Sequence, residues 1–534
     1  MAEEEPKKKR GVVKKILKWF GLGVLGLLII LGLIFQAPWK VMALLVVFFL
    51  ALTVLPRPGR KWFWAGVGVV VIALIVWVFL PEGDRDWQPY SFDDELAVLE
   101  AKHIIPDEEN AALIYNQLLE AEREVNDINV PEGCYDLAES SLLSSEEDTE
   151  VAEWLVGQES TVKLLLEAGK MERCHFPIDA SPMMSEQMER NSVMRQWARL
   201  LLCSGNIDYR EDRMEQGLDK YLATLRMGGH IRQQPSMLDF FIGMAIEGLA
   251  RTQLNQFCIT GVPTEEHIRV IEESLTKLKY DWRSDLPRFL EHDKLLMKNM
   301  VCGSAYEINA EGKVRLSRDP LARMRAEFPD EMPTLTYWQK KLFRAYIILG
   351  WFVMPSTPQK AGGIIDGRFE KHYFMAKSDF DWNREPQSLL SILKERSWTP
   401  IRFNFEYLVD LMVDMGKGTY YEIHDLYLLA HARKQGTLIL TALRRFKNET
   451  GDWPEKLDDI QHLVPADTLV DPVAGDSFVY RLTDENFTLY SKGKNNIDEG
   501  GEYDVDYLDG ETGPDDRPIW PPRSCKSEEE QEDG

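Results

Sequence analysis

The sequence predicts a mainly α-helical protein with three parts. They are N-terminal transmembrane helices, an α-helical hairpin domain that is a bundle or solenoid-like, and a small C-terminal α+β module with a short antiparallel sheet. Three observations predict this fold class: three apolar runs at the start, helically spaced apolar side chains in residues 105–300, and two short β-type runs near the end. A chain of 534 residues is too long to fold around one hydrophobic core, so we expect separate structural units.

The three apolar runs lie within residues 19–80 and are predicted to cross a lipid bilayer. They occupy residues 19–35, 41–55 and 62–80. At about 1.5 Å per helical residue, the first and third runs span a hydrocarbon core of about 30 Å, whereas the second is short. A cleaved signal peptide is the alternative for the first run, but no small-x-small site follows it.

Charge predicts the orientation of these spans and excludes one class of partner. Residues 1–80 hold eleven basic and three acidic side chains, a net charge of +8. Because the whole chain has a net charge of −25, the remaining residues carry −33. The basic residues precede and separate the apolar runs, which predicts a cytoplasmic tail at residues 1–18 and a body outside the cytoplasm. Such an acidic body repels nucleic acid, so we expect no nucleic-acid partner.

Six cysteines are scattered along the chain without a Cys-x-x-Cys pair. This spacing excludes zinc ribbons and thioredoxin-like redox chemistry. Scattered buried thiols are the expected state.

After a linker at residues 81–104, residues 105–300 are predicted to form helical hairpins. Apolar side chains from Met214 to Leu225 recur on one helical face, and a similar helix precedes them across "SGNIDYRED", which predicts an antiparallel pair. Ser236 is a predicted N-cap whose capping box Asp239 completes, and a further helix is predicted to start at Thr264. No regular repeat is visible, so bundle and solenoid both stay open.

The rest of the body divides into three predicted segments. Residues 301–419 form a mixed helical and loop region, in which "STPQKAGGIIDGRFEKHYF" is predicted as a surface loop. Residues 420–510 form an α+β module with a long helix ending at Gly451, followed by the strands "SFVYRL" and "NFTLYS". Residues 511–534 are predicted to be a disordered acidic tail.

Three segments of the C-terminal module occur in a recognisable order. They are "ILTALRRFKNETGDWPEKLDDI", "DPVAGDSFVY" and "LYSKGKNNIDEGG". Residues 420–510 thereby resemble the head of the type II secretion major pseudopilin, with its helix, turn, Asp-Pro-led strand and Tyr-Ser-x-Gly loop. The prepilin-peptidase site of that family is missing from "KKILKWFGLGVLGLL". The resemblance therefore implies a borrowed module rather than a filament subunit.

The whole layout, including "NAALIYNQLL" and "QQPSMLDFFIGMAIEGLA", resembles uncharacterised envelope proteins of planctomycete-type bacteria. This resemblance implies a place in the bacterial inner (cytoplasmic) membrane and no assigned chemistry. The pseudopilin head binds calcium in its last loop, which makes Asp498, Asp504 and Asp506 the calcium candidates here. Asn495 stands where that family commonly has Asp, so an acidic, solvated loop is favoured over a calcium site and no other cofactor is expected.

Catalytic patterns are weak. His424 and His431 lie two helical turns apart, without the spacing of zinc proteases, which favours a packing boundary. "VCGSAY" around Cys302 has Ala305 where papain-like enzymes have their nucleophile. Asp239 and Glu247, if both are buried, would be general-acid candidates, although capping explains Asp239 and an arginine would explain Glu247.

The favoured hypothesis is a membrane-anchored, extracytoplasmic scaffold or interaction protein of the bacterial envelope. Its partners would be the lipid bilayer, through residues 19–80, and another envelope protein. Two alternatives remain open, namely an envelope hydrolase whose site is assembled from distant residues and an accessory component of a secretion or pilus-like system. The absence of a catalytic constellation from the sequence favours a protein that is not an enzyme.

Overall fold

The computed structural model describes residues 87–125, 130–139, 149–181, 184–317, 354–377, 380, 382, 405–483, 486–503 and 514–522. The predicted spans at residues 19–80 therefore lie outside the described residues. Within the described ranges, no helix is long and apolar enough to cross a membrane.

The described chain is mainly helical, as predicted, with two small antiparallel sheets. The helices are α1 (Asp93–Ala101), α2 (Ala112–Val125), α3 (Glu132–Glu139), α4 (Thr149–Gly157), α5 (Glu159–Ala168), α6 (Ser185–Arg210), α7 (Met214–Arg232), α8 (Met237–Thr260), α9 (Glu265–Lys277), α10 (Trp282–Ala305), α11 (Pro358–Phe369) and α12 (Phe405–Thr450). The strands are β1 (Trp87–Pro89), β2 (Tyr306–Asn309), β3 (Val314–Leu316), β4 (Val479–Leu482), β5 (Phe487–Ser491) and β6 (Arg517–Trp520).

The chain forms two compact units, each drawn from separate stretches of sequence. The first contains Met1–Glu95, Ala180–Met183 and Asp293–Tyr420, and the second contains Leu96–Asp179, Met184–His292 and Tyr421–Gly534, as far as these stretches are described. Most of the predicted 105–300 region and the predicted 420–510 module therefore fall in the same unit.

A buried lysine organises the first unit. The ammonium group of Lys298, whose side chain is 1% exposed, donates to both carboxylate oxygens of Glu95 at 2.6 Å and to those of Asp366 at 3.1 Å. The same group lies 4.5 Å above the ring of Phe92. These contacts fix α1 and α11 to α10, beside a sheet of order β1-β2-β3. No sequence pattern indicates this cluster, because its members are remote in sequence.

In the second unit, α6, α7 and α8 pack as successive antiparallel hairpins. Gly205 on α6 lies beside Gly217 on α7, and Gly228 on α7 lies beside Gly243 on α8, because only residues without a Cβ permit so close an approach. The predicted antiparallel pair is thus present. Its connection is shorter than predicted, since α6 continues to Arg210 and includes most of "SGNIDYRED".

Two predicted helix starts are confirmed, one of them with different chemistry. The Thr264 hydroxyl accepts from the backbone N–H of His267 at the start of α9. Ser236 caps α8 by accepting from the backbone N–H of Leu238, but Asp239 does not complete the predicted capping box. Its carboxylate binds side chains of α6 instead.

The C-terminal part of the second unit has the predicted α+β order. Helix α12 is longer than expected and ends where predicted, at Gly451, whose φ of +94° suits a residue without a side chain. Strands β4 and β5 pair antiparallel, with Val479 opposite Tyr490. Within the predicted disordered tail at residues 511–534, residues 517–520 instead form β6, which pairs with β5.

One apolar core joins the hairpins of the second unit to its sheet. Side chains of α6 to α9, of α12 and of the strands share one buried cluster, which includes Leu254, Ile271, Leu443 and Trp520. The Arg444 guanidinium on α12 also donates to the carbonyl of Cys258 at 2.5 Å. Strand and helix regions that are distant in sequence therefore stabilise each other.

Candidate functional site

A buried charge cluster holds α7 and α8 together, and its centre is Glu247. This carboxylate is fully buried and accepts from the Arg232 guanidinium at 2.9 Å and from that of Arg251 at 3.3 Å. The Tyr280 hydroxyl donates to the same carboxylate at 2.5 Å. The Arg232 guanidinium lies 4.6 Å from the centre of the Tyr280 ring. We call Glu247, Arg232, Arg251 and Tyr280 the Glu247 cluster.

The electrostatics of this cluster contradict the general-acid hypothesis for Glu247. Burial alone would raise the pKa of its carboxyl group, but the charges of Arg232 and Arg251 and the Tyr280 hydroxyl outweigh burial and hold that pKa below its usual range. Glu247 is therefore an anion that stabilises two buried cations. It does not carry the proton that a general acid needs.

The second member of the predicted acid pair, Asp239, is committed to a different contact. Its carboxylate accepts from the Arg190 guanidinium at 3.0 Å and from the Asn191 amide at 2.7 Å, both on α6. Arg190 also lies 4.5 Å over the Phe176 ring. The structure thus gives Asp239 and Glu247 separate arginine partners and does not assemble them into one acid–base pair.

A serine and a lysine come together on the α6–α7 hairpin, which the sequence did not indicate. The Lys220 ammonium donates to the Ser204 hydroxyl oxygen at 2.6 Å and also to the buried carboxylate of Asp208. A lysine base must be neutral to take a proton from serine, whereas this lysine is ion-paired. The contact therefore serves to close the hairpin. Ser204 and Asp208 are four residues apart and so share one face of α6, but this spacing alone does not indicate a lysine partner.

The two histidines of α12 pack against aromatic rings, in line with the packing-boundary interpretation. The rings of His424 and Trp282 lie 5.4 Å apart, and those of His431 and Tyr280 lie 6.0 Å apart. Burial and the nearby Lys494 ammonium lower the pKa of His424 to about 4. Among the described residues, no group of three or more His, Cys, Asp or Glu side chains is placed to hold a metal ion.

All five described cysteines are reduced and buried, which agrees with scattered thiols. Cys302, the residue in the papain-like segment, has a fully buried side chain that contacts the carbonyl of Pro358. Burial raises the pKa of the Cys258 thiol to about 12. Thiols in such surroundings are poor nucleophiles.

The calcium candidates are divided between described and undescribed residues. Asp504 and Asp506 lie outside the described ranges. The Asp498 carboxylate is occupied by chain groups, since the Tyr490 hydroxyl donates to one oxygen at 2.7 Å and Arg481 donates to the other at 2.6 Å. Asp498 therefore fits a role in holding its own loop.

We predict that calcium changes the thermal stability of the protein by no more than a few degrees. Each missing anionic ligand weakens the binding of a hard cation such as calcium, and the Asn495 side chain carries no negative charge. The measurement is the melting temperature of the full-length protein in calcium and in chelator. The variant Asn495→Asp restores the carboxylate and should respond more strongly to calcium. A shift of many degrees in the natural protein would contradict the prediction.

His230 gives the second unit a further buried polar contact. Its Nε2 lies 2.9 Å from the Met171 carbonyl and therefore donates, which leaves Nδ1 to accept from the Tyr115 hydroxyl at 3.0 Å. Burial lowers the pKa of this histidine from 6.5 to about 4. The folded protein thus holds the ring neutral.

We predict that stability falls as the pH drops from about 6.5 towards 4, because the unfolded chain then binds a proton that folded His230 excludes. The loss is about 1.4 kcal/mol per pH unit within this window. His230→Gln should flatten this part of the pH dependence of the free energy of unfolding. The exposed histidine variant His462→Gln is the control, and an unchanged slope in His230→Gln would refute the prediction.

No protein-family model, curated protein or solved structure matches the chain. Its function is therefore inferred from its own residues.

Proposed function

We propose that the protein is a membrane-anchored scaffold of the bacterial envelope whose helical region, residues 105–300, binds a partner protein. The distribution of charge carries this proposal. Residues 105–300 contain 36 acidic and 20 basic side chains, a net charge of −16. Among the described residues of this region, the buried charged side chains are four acidic and four basic, which balance. They are Asp208, Asp239, Glu247, Asp285, Arg190, Arg232, Arg251 and Lys298.

Because the buried charges cancel, the acidic surplus belongs to side chains outside the described buried set. Exposed acids such as Asp107 and Glu108 illustrate this surface. A surface of one sign favours partners with the opposite charge and accelerates their association at low salt. The partner would therefore present a basic patch. Its binding should weaken with salt, since exposed charges are screened beyond about 8 Å at physiological ionic strength.

The polar clusters support binding rather than turnover. In the Glu247 cluster, around Asp239 and around Lys220, the charged groups neutralise one another and fasten helices. A catalytic site instead needs a group whose protonation is poised for transfer. Among the described residues, the contact between Ser204 and Lys220 is the candidate that the hydrolase alternative would use.

The membrane part of the proposal rests on the loop charges around residues 19–80. Protease added to intact spheroplasts should digest the body, whereas residues 1–18 should stay protected. Protection of the body until lysis would mean that the orientation or the number of spans is wrong.

The binding role is tested by crosslinking in native membranes, followed by mass spectrometry of the crosslinked peptides. We expect one recurrent envelope protein attached through residues 105–300. Purified protein should be assayed in parallel on peptide, ester and glycan substrates, with Ser204→Ala as the matched control. Hydrolysis that Ser204→Ala abolishes, without a recurrent crosslink, would replace the scaffold proposal with the hydrolase alternative.

A further inference from the structure

A small cavity lined by polar and apolar side chains lies in the second unit, where residues 176–179 meet the first turns of α6 and α8. Its lining includes Gln187 and Arg190 of α6, Ser236 and Asp239 at the start of α8, and His292. The cavity volume is about 10 Å³. That is close to the smallest space that holds a single water molecule.

Gln187 is the unusual member of this lining. The residue is 1% exposed, yet neither its amide nitrogen nor its amide oxygen has a hydrogen-bond partner among the described residues. The Nε atom of Arg190, one helical turn further along α6, is likewise buried without a partner there. Buried amide groups are nearly always hydrogen-bonded, because an unpaired one loses its contacts with water and gains nothing.

Asp239 and Ser236, two polar neighbours in this lining, bind other groups and do not serve Gln187. Asp239 accepts from Arg190 and Asn191, and the Ser236 hydroxyl accepts from the backbone N–H of Leu238. His292 Nε2 lies 3.0 Å from the carbonyl of Asp179. The cavity thus offers the Gln187 amide and one Arg190 nitrogen to a ligand.

We propose that this cavity is a binding site for one water molecule, held by the Gln187 amide and Arg190 Nε. The cavity volume is close to that of one water molecule, so water is the ligand that fits it. A water oxygen accepts from Arg190 Nε, while the water and the Gln187 amide exchange a further hydrogen bond. The water would connect α6 with the polar contacts at the start of α8.

The direct test is a crystal structure of the full-length protein at a resolution that shows ordered water. The expected result is a density peak of water strength within about 3 Å of Arg190 Nε and of a Gln187 amide atom. An empty cavity, or a Gln187 amide bonded directly to protein atoms, would overturn the proposal.

A second test uses the stability of Gln187→Met, which keeps the length of the side chain and removes its polar atoms. The control is Gln216→Met, the same change at an exposed position. If water satisfies the Gln187 amide, the folding equilibrium constant of Gln187→Met should stay within about threefold of that of the control. If the amide is truly unpaired, Met removes an unfavourable buried group. A gain of tenfold or more over the control would therefore contradict a bound water.

Discussion

Replacing Glu247 by Gln is expected to lower the free energy of unfolding by about 3 kcal/mol or more. The change preserves the shape of the side chain but removes the only anion of the Glu247 cluster. Arg232 and Arg251, with side chains 9% and 3% exposed, then stay buried without their counter-charge. Chemical denaturation of the full-length protein measures the loss.

Glu273→Gln is the matched control, because this glutamate also pairs with an arginine but its side chain is 58% exposed. Exposed pairs are screened by solvent and contribute little to stability. Combining Glu247→Gln with Arg251→Met should recover part of the lost stability, since one of the uncompensated cations is removed. Equal, small effects of Glu247→Gln and Glu273→Gln would show that the cluster does not hold α7 and α8 together.

Replacing Gly243 by Ala is expected to destabilise the protein by about 3 kcal/mol, the upper end for overpacked sites. A Cβ at this position would lie 2.6 Å from the backbone nitrogen of Arg232 and 2.6 Å from the carbonyl oxygen of Gly228. Both obstacles are backbone atoms of α7, so the helices must move apart. Their separation would also stretch the contact between Arg232 and Glu247.

Gly248→Ala is the control on the same helix, where an added Cβ meets nothing within 4 Å. Ala is a better helix former than Gly by about 1 kcal/mol, so this variant should be neutral or more stable. The denaturation midpoint of Gly243→Ala should therefore fall, whereas that of Gly248→Ala should stay unchanged or rise. A Gly243→Ala variant as stable as Gly248→Ala would contradict the close packing of α7 on α8.

Local signals explain what the sequence predicted well. Thr264 and Ser236 begin helices because short hydroxyl side chains accept from backbone N–H groups, a rule that involves only neighbouring residues. Gly451 ends α12 for a similarly local reason. The strands β4 and β5 follow from β-type residues on both sides of the turn "TDEN".

Tertiary contacts explain most of what the sequence did not predict. Asp239 has the right spacing for a capping box, but its carboxylate accepts from Arg190 and Asn191 of another helix instead. The burial of Lys298 depends on Glu95 and Asp366, which are remote in sequence. Single-sequence patterns do not specify such pairs.

The predicted surface loop "STPQKAGGIIDGRFEKHYF" contains helix α11 instead, and a local signal for this helix is present in the sequence. Thr357 caps this helix and Pro358 occupies its first turn, a usual combination for a helix start. The adjacent Gly362 and Gly363 favoured a loop. Gly362 is needed because a Cβ there would come within 2.9 Å of the Phe92 ring and 2.8 Å of the Lys298 side chain.

The central claim is that residues 105–300 bind a basic partner through exposed acids. Its most direct test is the yield of the recurrent crosslink in native membranes as salt is raised, for the natural protein and for Asp107→Lys with Glu108→Lys. The same reversals at exposed Glu455 and Asp458, in the C-terminal module, are the control. We expect salt and the first pair of reversals to reduce the yield several-fold, and the control to leave it unchanged. A yield insensitive to both would contradict the claim.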